Sequence, residues 1–155
     1  MGGSQDRIPG PGKVLFFGSG ETAASAQQAY HVVFSSLSAA PQVAILEMPA
    51  GFELNSEWVA GQVAEYLQEH LQNFHPRTRL VPARARGTPL SPDNPEVVSP
   101  LLTANVIYLG AGSPTYAVRQ LQGSLAWHVL TARHRLGACL LYTSDAADDL
   151  LCVDL

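Results

Sequence analysis

Asn105-Val-Ile-Tyr-Leu-Gly-Ala-Gly-Ser-Pro-Thr-Tyr116 runs from a short apolar stretch into two glycines separated by one alanine, and then into a proline. A brief apolar run bounded by turn residues reads as a buried strand, here Asn105–Leu109. Gly110 and Gly112 suit a tight turn, since glycine reaches backbone conformations that other residues avoid. Pro114 suits the first turn of a helix, where its missing N–H costs no hydrogen bond. Strand, glycine turn and helix start make up the repeating unit of α/β proteins with a mostly parallel sheet.

The unit recurs outward in both directions. Lys13-Val-Leu-Phe-Phe17 reads as a buried first strand ending at Gly18-Ser-Gly20. Glu21 or Thr22 then caps a helix to about Leu37, with Ala26, Tyr30, Val33 and Leu37 on one face. Pro41 breaks the chain, and Gln42–Met48 forms a second strand closed by Pro49-Ala-Gly51. Asn55 or Ser56, followed by Glu57, opens a helix whose apolar face is Val59, Val63, Tyr66, Leu67 and Leu71. Arg77–Ala83 reads as a third strand, and Pro82 suits it to an edge or a strand end. Arg84–Pro100 carries Gly87, Pro89, Pro92, Pro95 and Pro100, so it reads as a loop with at most one helical turn near Glu96. Beyond the opening stretch, helices at Thr115–Leu121 and Ser124–Arg133 precede a final strand that begins near Leu136. The expectation is one three-layer α/β domain over residues 13–138, after a flexible Gly- and Pro-rich lead-in at 1–12.

Residues 139–155 read differently from what precedes them. Cys-Leu-Leu-Tyr-Thr-Ser-Asp-Ala-Ala-Asp, starting at Cys139, resembles one translated frame of a common transposon-type sequencing adapter. The other reading is a short natural strand followed by an acidic C-terminus. The formal charge of −4 depends on this segment: without Asp145, Asp148, Asp149 and Asp154, nine acids face nine bases. Both cysteines, Cys139 and Cys152, also lie in it, so no disulfide or CxxC inference follows for the rest. The five histidines show no HExxH or similar spacing, and no metal or cofactor is expected. Lys and Arg form no cluster larger than Arg77, Arg79, Arg84 and Arg86, which read as solvated surface residues and exclude a nucleic-acid stripe. No apolar run reaches the roughly 20 residues of a spanning helix, so a soluble cytoplasmic protein without a membrane partner is expected.

In such a sheet, ligands bind at the carboxyl edge of the strands. Three loops fall there: Gly18–Glu21, Glu47–Phe52 and Gly110–Thr115. Gly18-Ser-Gly-Glu-Thr-Ala23 fits G-x-G-x-x-A, with Glu47 about where a ribose-binding acid would stand, which opens a reading as a nucleotide-dependent oxidoreductase. Glu21 counts against it, because a carboxylate beside a pyrophosphate is repulsive. Gly110-Ala-Gly-Ser113 leaves backbone N–H groups able to hold an anion or an oxyanion, or is a turn and nothing more.

Phe16-Phe-Gly-Ser-Gly-Glu-Thr22, Ala44-Ile-Leu-Glu-Met-Pro-Ala-Gly-Phe52 and Ile107-Tyr-Leu-Gly-Ala-Gly-Ser-Pro-Thr-Tyr116 together resemble the peptidase S51 family, the dipeptidase E and cyanophycinase-like branch of the class I glutamine amidotransferase-like fold. The resemblance implies a flavodoxin-like architecture and a serine hydrolase that cleaves small peptide-like substrates next to acidic residues. It also implies that Gly110, Ala111, Gly112 and Ser113 form the oxyanion and substrate loop, with Gly18, Gly20 and Glu21 bordering the pocket. The nucleophile would follow the strand that starts at Leu136, and Ser144 falls within about a residue of that place. The sequence departs from the pattern here. Asp145 would repel a developing oxyanion, and no histidine follows Ser144 to act as base. The expectation is a truncated, catalytically inactive member; a non-catalytic small-anion binding module is the competing reading.

Overall fold

Five short strands pair into one sheet: β1 (Val14–Phe17), β2 (Gln42–Leu46), β3 (Arg77–Val81), β4 (Val106–Leu109) and β5 (Cys139–Thr143), in the spatial order β1-β5-β4-β2-β3. The structure is a computed structural model that describes residues 10–18 and 20–143. Every strand pairing is parallel, with Ile45 opposite Leu80 and Tyr108, and Leu140 opposite Val14 and Ile107. The helices are α1 (Gln27–Ser35), α2 (Ser56–His70), α3 (Pro95–Val98), α4 (Pro114–Leu121) and α5 (Leu125–Arg135).

Crossovers between parallel strands are right-handed, so the direction of travel along the sheet decides which face each helix covers. From β1 to β2 to β3 the chain moves one way, and from β3 to β4 to β5 it moves back. Accordingly α1 and α2 pack with Val43, Ile45, Val106, Tyr108, Cys139 and Leu141 on one face. α4 and α5 pack with Ala44, Leu46 and Ile107 on the other. The near-continuous burial along β2 and β4, which are covered on both faces, is that of an interior parallel sheet. The fold is α/β, three-layered and parallel. Counted from β2, the order β3-β2-β4-β5 is that of flavodoxin-like sheets, with β1 filling the fifth place.

The expected elements are present, with shifts at their ends that have physical causes. β1 is not the buried strand its composition suggests: it lies at the sheet edge, and Val14 and Phe16 stay 48% and 71% exposed. Neither Glu21 nor Thr22 caps α1; a 3-10 turn at Ala24–Ala26 precedes it, and Ala23 offers no capping side chain. β2 ends at Leu46, because Met48–Ala50 closes into a 3-10 turn around Pro49. β3 stops at Val81, before Pro82, whose missing N–H ends the ladder. The last strand begins at Cys139 and not near Leu136: Leu136 ends α5, and Gly137 turns the chain at φ 111°. The sheet interior is thus completed by the first five residues of the segment that reads as foreign.

Candidate active site at the carboxyl edge

The chain reverses direction between β2 and β4, which makes the crevice beyond their carboxyl ends the topological switch point. Glu47–Phe52 and Gly110–Ser113 line that crevice, and Gly18–Glu21 lies beyond β5 on the far side. The sheet order therefore sets the glycine loops on either side of the end of β5. Thr143, its last residue, lies opposite Phe17, and Tyr142 lies opposite Leu109. Ser144, which falls near the place expected for a nucleophile, lies outside the described residues, as does Ser19.

In the Gly110 loop, the backbone N–H groups of Ala111, Gly112 and Ser113 bond to no acceptor among the described residues. Gly112 takes φ 152°, and Ser113 begins α4 by accepting a hydrogen bond from Tyr116 N at 3.2 Å. Ser113 was expected to face substrate. Its oxygen accepts the bond that caps α4, which leaves the hydroxyl proton and the loop's main chain as donors. In the first loop Gly20 has φ 74°, as a tight turn requires, while the Glu21 carbonyl accepts from the Tyr30 hydroxyl at 2.9 Å.

Glu47 is the polar centre of the crevice and is only 3% exposed. Its Oε1 accepts from Ser56 Oγ at 2.9 Å, from Arg84 Nε at 3.1 Å and from Arg84 Nη2 at 3.0 Å. Burial of a carboxylate is tolerable only with such donors. The second loop lies directly on this arginine: a Cβ on Gly51 would come within 2.4 Å of the Arg84 carbonyl. Tyr116, from the first turn of α4, donates its hydroxyl to that same carbonyl at 2.6 Å and meets the Phe52 ring edge-on at 5.1 Å. Arg84 thus ties β3, the Glu47 loop and the start of α4 together. Arg86 is also occupied, donating to the carbonyls of Gln120 and Gln122 at the end of α4. Of the four arginines read as solvated, Arg77, Arg79 and Arg86 are exposed, and only Arg84 departs from that description by turning inward onto Glu47.

No family model matches the sequence. No curated protein matches it either. In three dimensions the chain is similar to the crystal structure of a peptidase from an acI-B1 Actinobacterium, with a TM-score of 0.68 and 18% identity over 86% of this chain and 54% of that one. The chain spans about half the length of that peptidase, and at this identity the likeness is one of fold.

The dinucleotide reading fails on position. A Rossmann fingerprint opens a helix directly after an interior strand, so that the helix N-terminus meets the pyrophosphate. Here β1 is an edge strand, and α1 starts only at Gln27, well past the glycines. Two features had no motif to reveal them. One is the Glu47–Ser56–Arg84 cluster. The other is a set of buried hydroxyls, Tyr30, Tyr108 and Thr143, beneath the same edge. The only available signal for the second was Tyr108 inside an otherwise aliphatic strand.

Proposed function

We propose that this chain is the amino-terminal part of a serine hydrolase of the peptidase S51 kind, acting on small peptide-like substrates, and that the 155-residue chain does not itself turn over. The observation that carries this reading is the row of N–H groups at Ala111, Gly112 and Ser113 that meet no acceptor among the described residues, beside the end of β5. In acyl transfer the serine oxygen attacks the scissile carbonyl carbon and its proton passes through a base to the leaving amine. The carbonyl oxygen becomes an anion that such donors stabilise. Water then releases the acyl group by the reverse sequence. The fold's likeness to a solved peptidase supports the same reading, and that peptidase is nearly twice as long as the matched segment. The inactivity follows from the absence of any histidine after Ser144 and from Asp145 next to it. We further propose that the residues from Cys139 derive from adapter DNA.

The carboxyl edge favours this reading over a small-anion binding module. Glu47 and Glu57 both approach Arg84, so the guanidinium that the described residues place in the crevice is already neutralised. The nucleotide sequence around codon 139 tests the origin of the tail. The hydrolase reading is tested by expressing the gene with its native continuation and assaying aspartyl dipeptides. Turnover that disappears when the serine after β5 is replaced is expected; a continuation with no serine there overturns the proposal. For the 155-residue chain, the expected result is background hydrolysis before and after Ser144→Ala, and turnover abolished by that substitution would overturn its inactivity.

A further inference from the structure

We propose that the segment after β3 grips α4 at both ends and thereby positions the Gly110–Ser113 loop, with Arg86 as a positioning residue at the far end of the helix. α4 has eight residues, about 12 Å of helix, which is too short to hold its shape alone. It buries only Ala117 and Leu121. Apolar contact of that kind is non-directional, so it fixes the depth of α4 against the sheet better than its place along its own axis. Directional bonds at the two ends supply the second restraint. At the first turn, the Tyr116 hydroxyl donates to the Arg84 carbonyl at 2.6 Å. At the last turn, Arg86 N donates to Gln120 Oε1 at 2.7 Å, Arg86 Nε to the Gln120 carbonyl at 2.8 Å, and Arg86 Nη2 to the Gln122 carbonyl. A helix end leaves such carbonyls without helical partners, and a cation beside them also suits the helix dipole.

The gripping segment is itself braced. The Leu90 carbonyl accepts from Arg84 N at 2.7 Å and from Ala85 N at 3.2 Å, and Thr88 Oγ1 donates to the Ala85 carbonyl at 2.7 Å. The Arg84 side chain is held in turn by Glu47. Both grips therefore come from one short piece of closed backbone. At the other end of the linkage there is no slack, because Ser113 caps α4 and Pro114 begins it. The N–H groups of Ala111, Gly112 and Ser113 meet no acceptor among the described residues, so no bond of their own holds them in place. The loop takes its position from α4, and α4 takes its axial position from Arg84 and Arg86. The inference rests on reading that loop as the donor surface of the proposed hydrolase. Its test needs no turnover, so failure of the grip and failure of the hydrolase reading are separate results.

The test measures NMR backbone order parameters at Ala111, Gly112 and Ser113 in the full 155-residue chain. Arg86→Ala releases the last turn of α4, and Tyr116→Phe releases the first while keeping the ring against Phe52. Arg86 is exposed and Tyr116→Phe deletes one oxygen, so both variants are expected to fold. The unmodified loop is expected near the rigid value of about 0.85, and each variant is expected to fall toward about 0.6, while Ile45 and Ile107 in the sheet keep their values. Val63→Ala, which truncates a buried side chain of α2 on the opposite face of the sheet, lowers stability without touching α4 and is expected to leave the loop unchanged. A loop that keeps its order in either Arg86→Ala or Tyr116→Phe overturns the proposal. An equal fall in Val63→Ala also overturns it, because the loop would then follow global stability and not the grip on α4.

Discussion

Replacing Arg84 by alanine isolates the ion pair at the switch point. Two of its nitrogens lie 3.1 and 3.0 Å from Glu47 Oε1, and the carboxylate side chain is 1% exposed while the arginine side chain is 29% exposed. Removing one partner of a fully buried pair costs about 3–5 kcal/mol, because the other charge is left without compensation. Here water reaches the guanidinium and Ser56 still donates to Glu47, which lowers the expectation to about 2 kcal/mol. With a urea m-value of about 2 kcal/mol/M, the unfolding midpoint falls by about 1 M. Glu57 serves as the control. It is 73% exposed at 3.6 Å from the same arginine, and Glu57→Gln should cost no more than about 0.5 kcal/mol. Removing both buried charges with Glu47→Leu and Arg84→Met should recover part of the loss, less about 1 kcal/mol for the acceptor that Ser56 then lacks. An Arg84→Ala midpoint within about 0.2 M of the parent, or a Glu57→Gln shift as large as that of Arg84→Ala, refutes the assignment of the pair as the crevice's anchor.

Gly51→Ala places a methyl 2.4 Å from the Arg84 carbonyl and should cost about 1–3 kcal/mol, lowering the melting temperature by about 2–4 °C per kcal/mol. Gly61→Ala in α2 meets nothing within 4 Å and should instead raise the melting temperature by removing backbone freedom. Alkaline titration offers a second check. Because the folded-state pKa values of Tyr30 and Tyr108 are raised above 10.0, the stability they contribute is complete below that pH and is lost as pH rises past it. Their phenolate absorbance should therefore appear together with unfolding, and early titration of all five tyrosines in a folded protein would contradict it. Phe16→Lys, at a position 71% exposed on the edge strand, should leave stability within about 0.5 kcal/mol while reducing light scattering on concentration. Unchanged scattering would show that this edge does not drive association.

The α2 face is the clearest case of structure legible in sequence. Val63, Tyr66, Leu67 and Leu71 recur at helical spacing and are all buried. Pro82 and the proline-rich loop after it likewise fixed the end of β3 and left room only for the short α3. Strand order was not legible, because apolar runs of four or five residues look alike whether they lie at an edge or inside. Val-Leu-Phe-Phe at Val14–Phe17 is as apolar as Val-Ile-Tyr-Leu at Val106–Leu109, yet the first is an edge and the second an interior strand. Of the site, the three loops and their shared edge could be located from glycines that follow strands. The partners of Glu47 could not, since Ser56 and Arg84 are 9 and 37 residues away and meet it only through the fold.

The edge position of β1 reshapes what the glycine loops can do together. With the order β1-β5-β4-β2, the Gly18 loop no longer adjoins the switch point but borders β5, and the Gly110 loop borders β5 from the other side. A reacting group carried just past Thr143 would have glycine backbone on both hands, one side offering the N–H groups of Ala111 to Ser113, which meet no acceptor among the described residues. A group carried past β2 would meet Glu47, a carboxylate already committed to Arg84 and Ser56 and ill suited to stabilising a developing negative charge. The electrostatics of the edge thus separate it into a half that can accept an anion and a half that cannot. The buried hydroxyls of Thr143, Tyr108 and Tyr30 lie beneath the first half, and Arg84 secures the second.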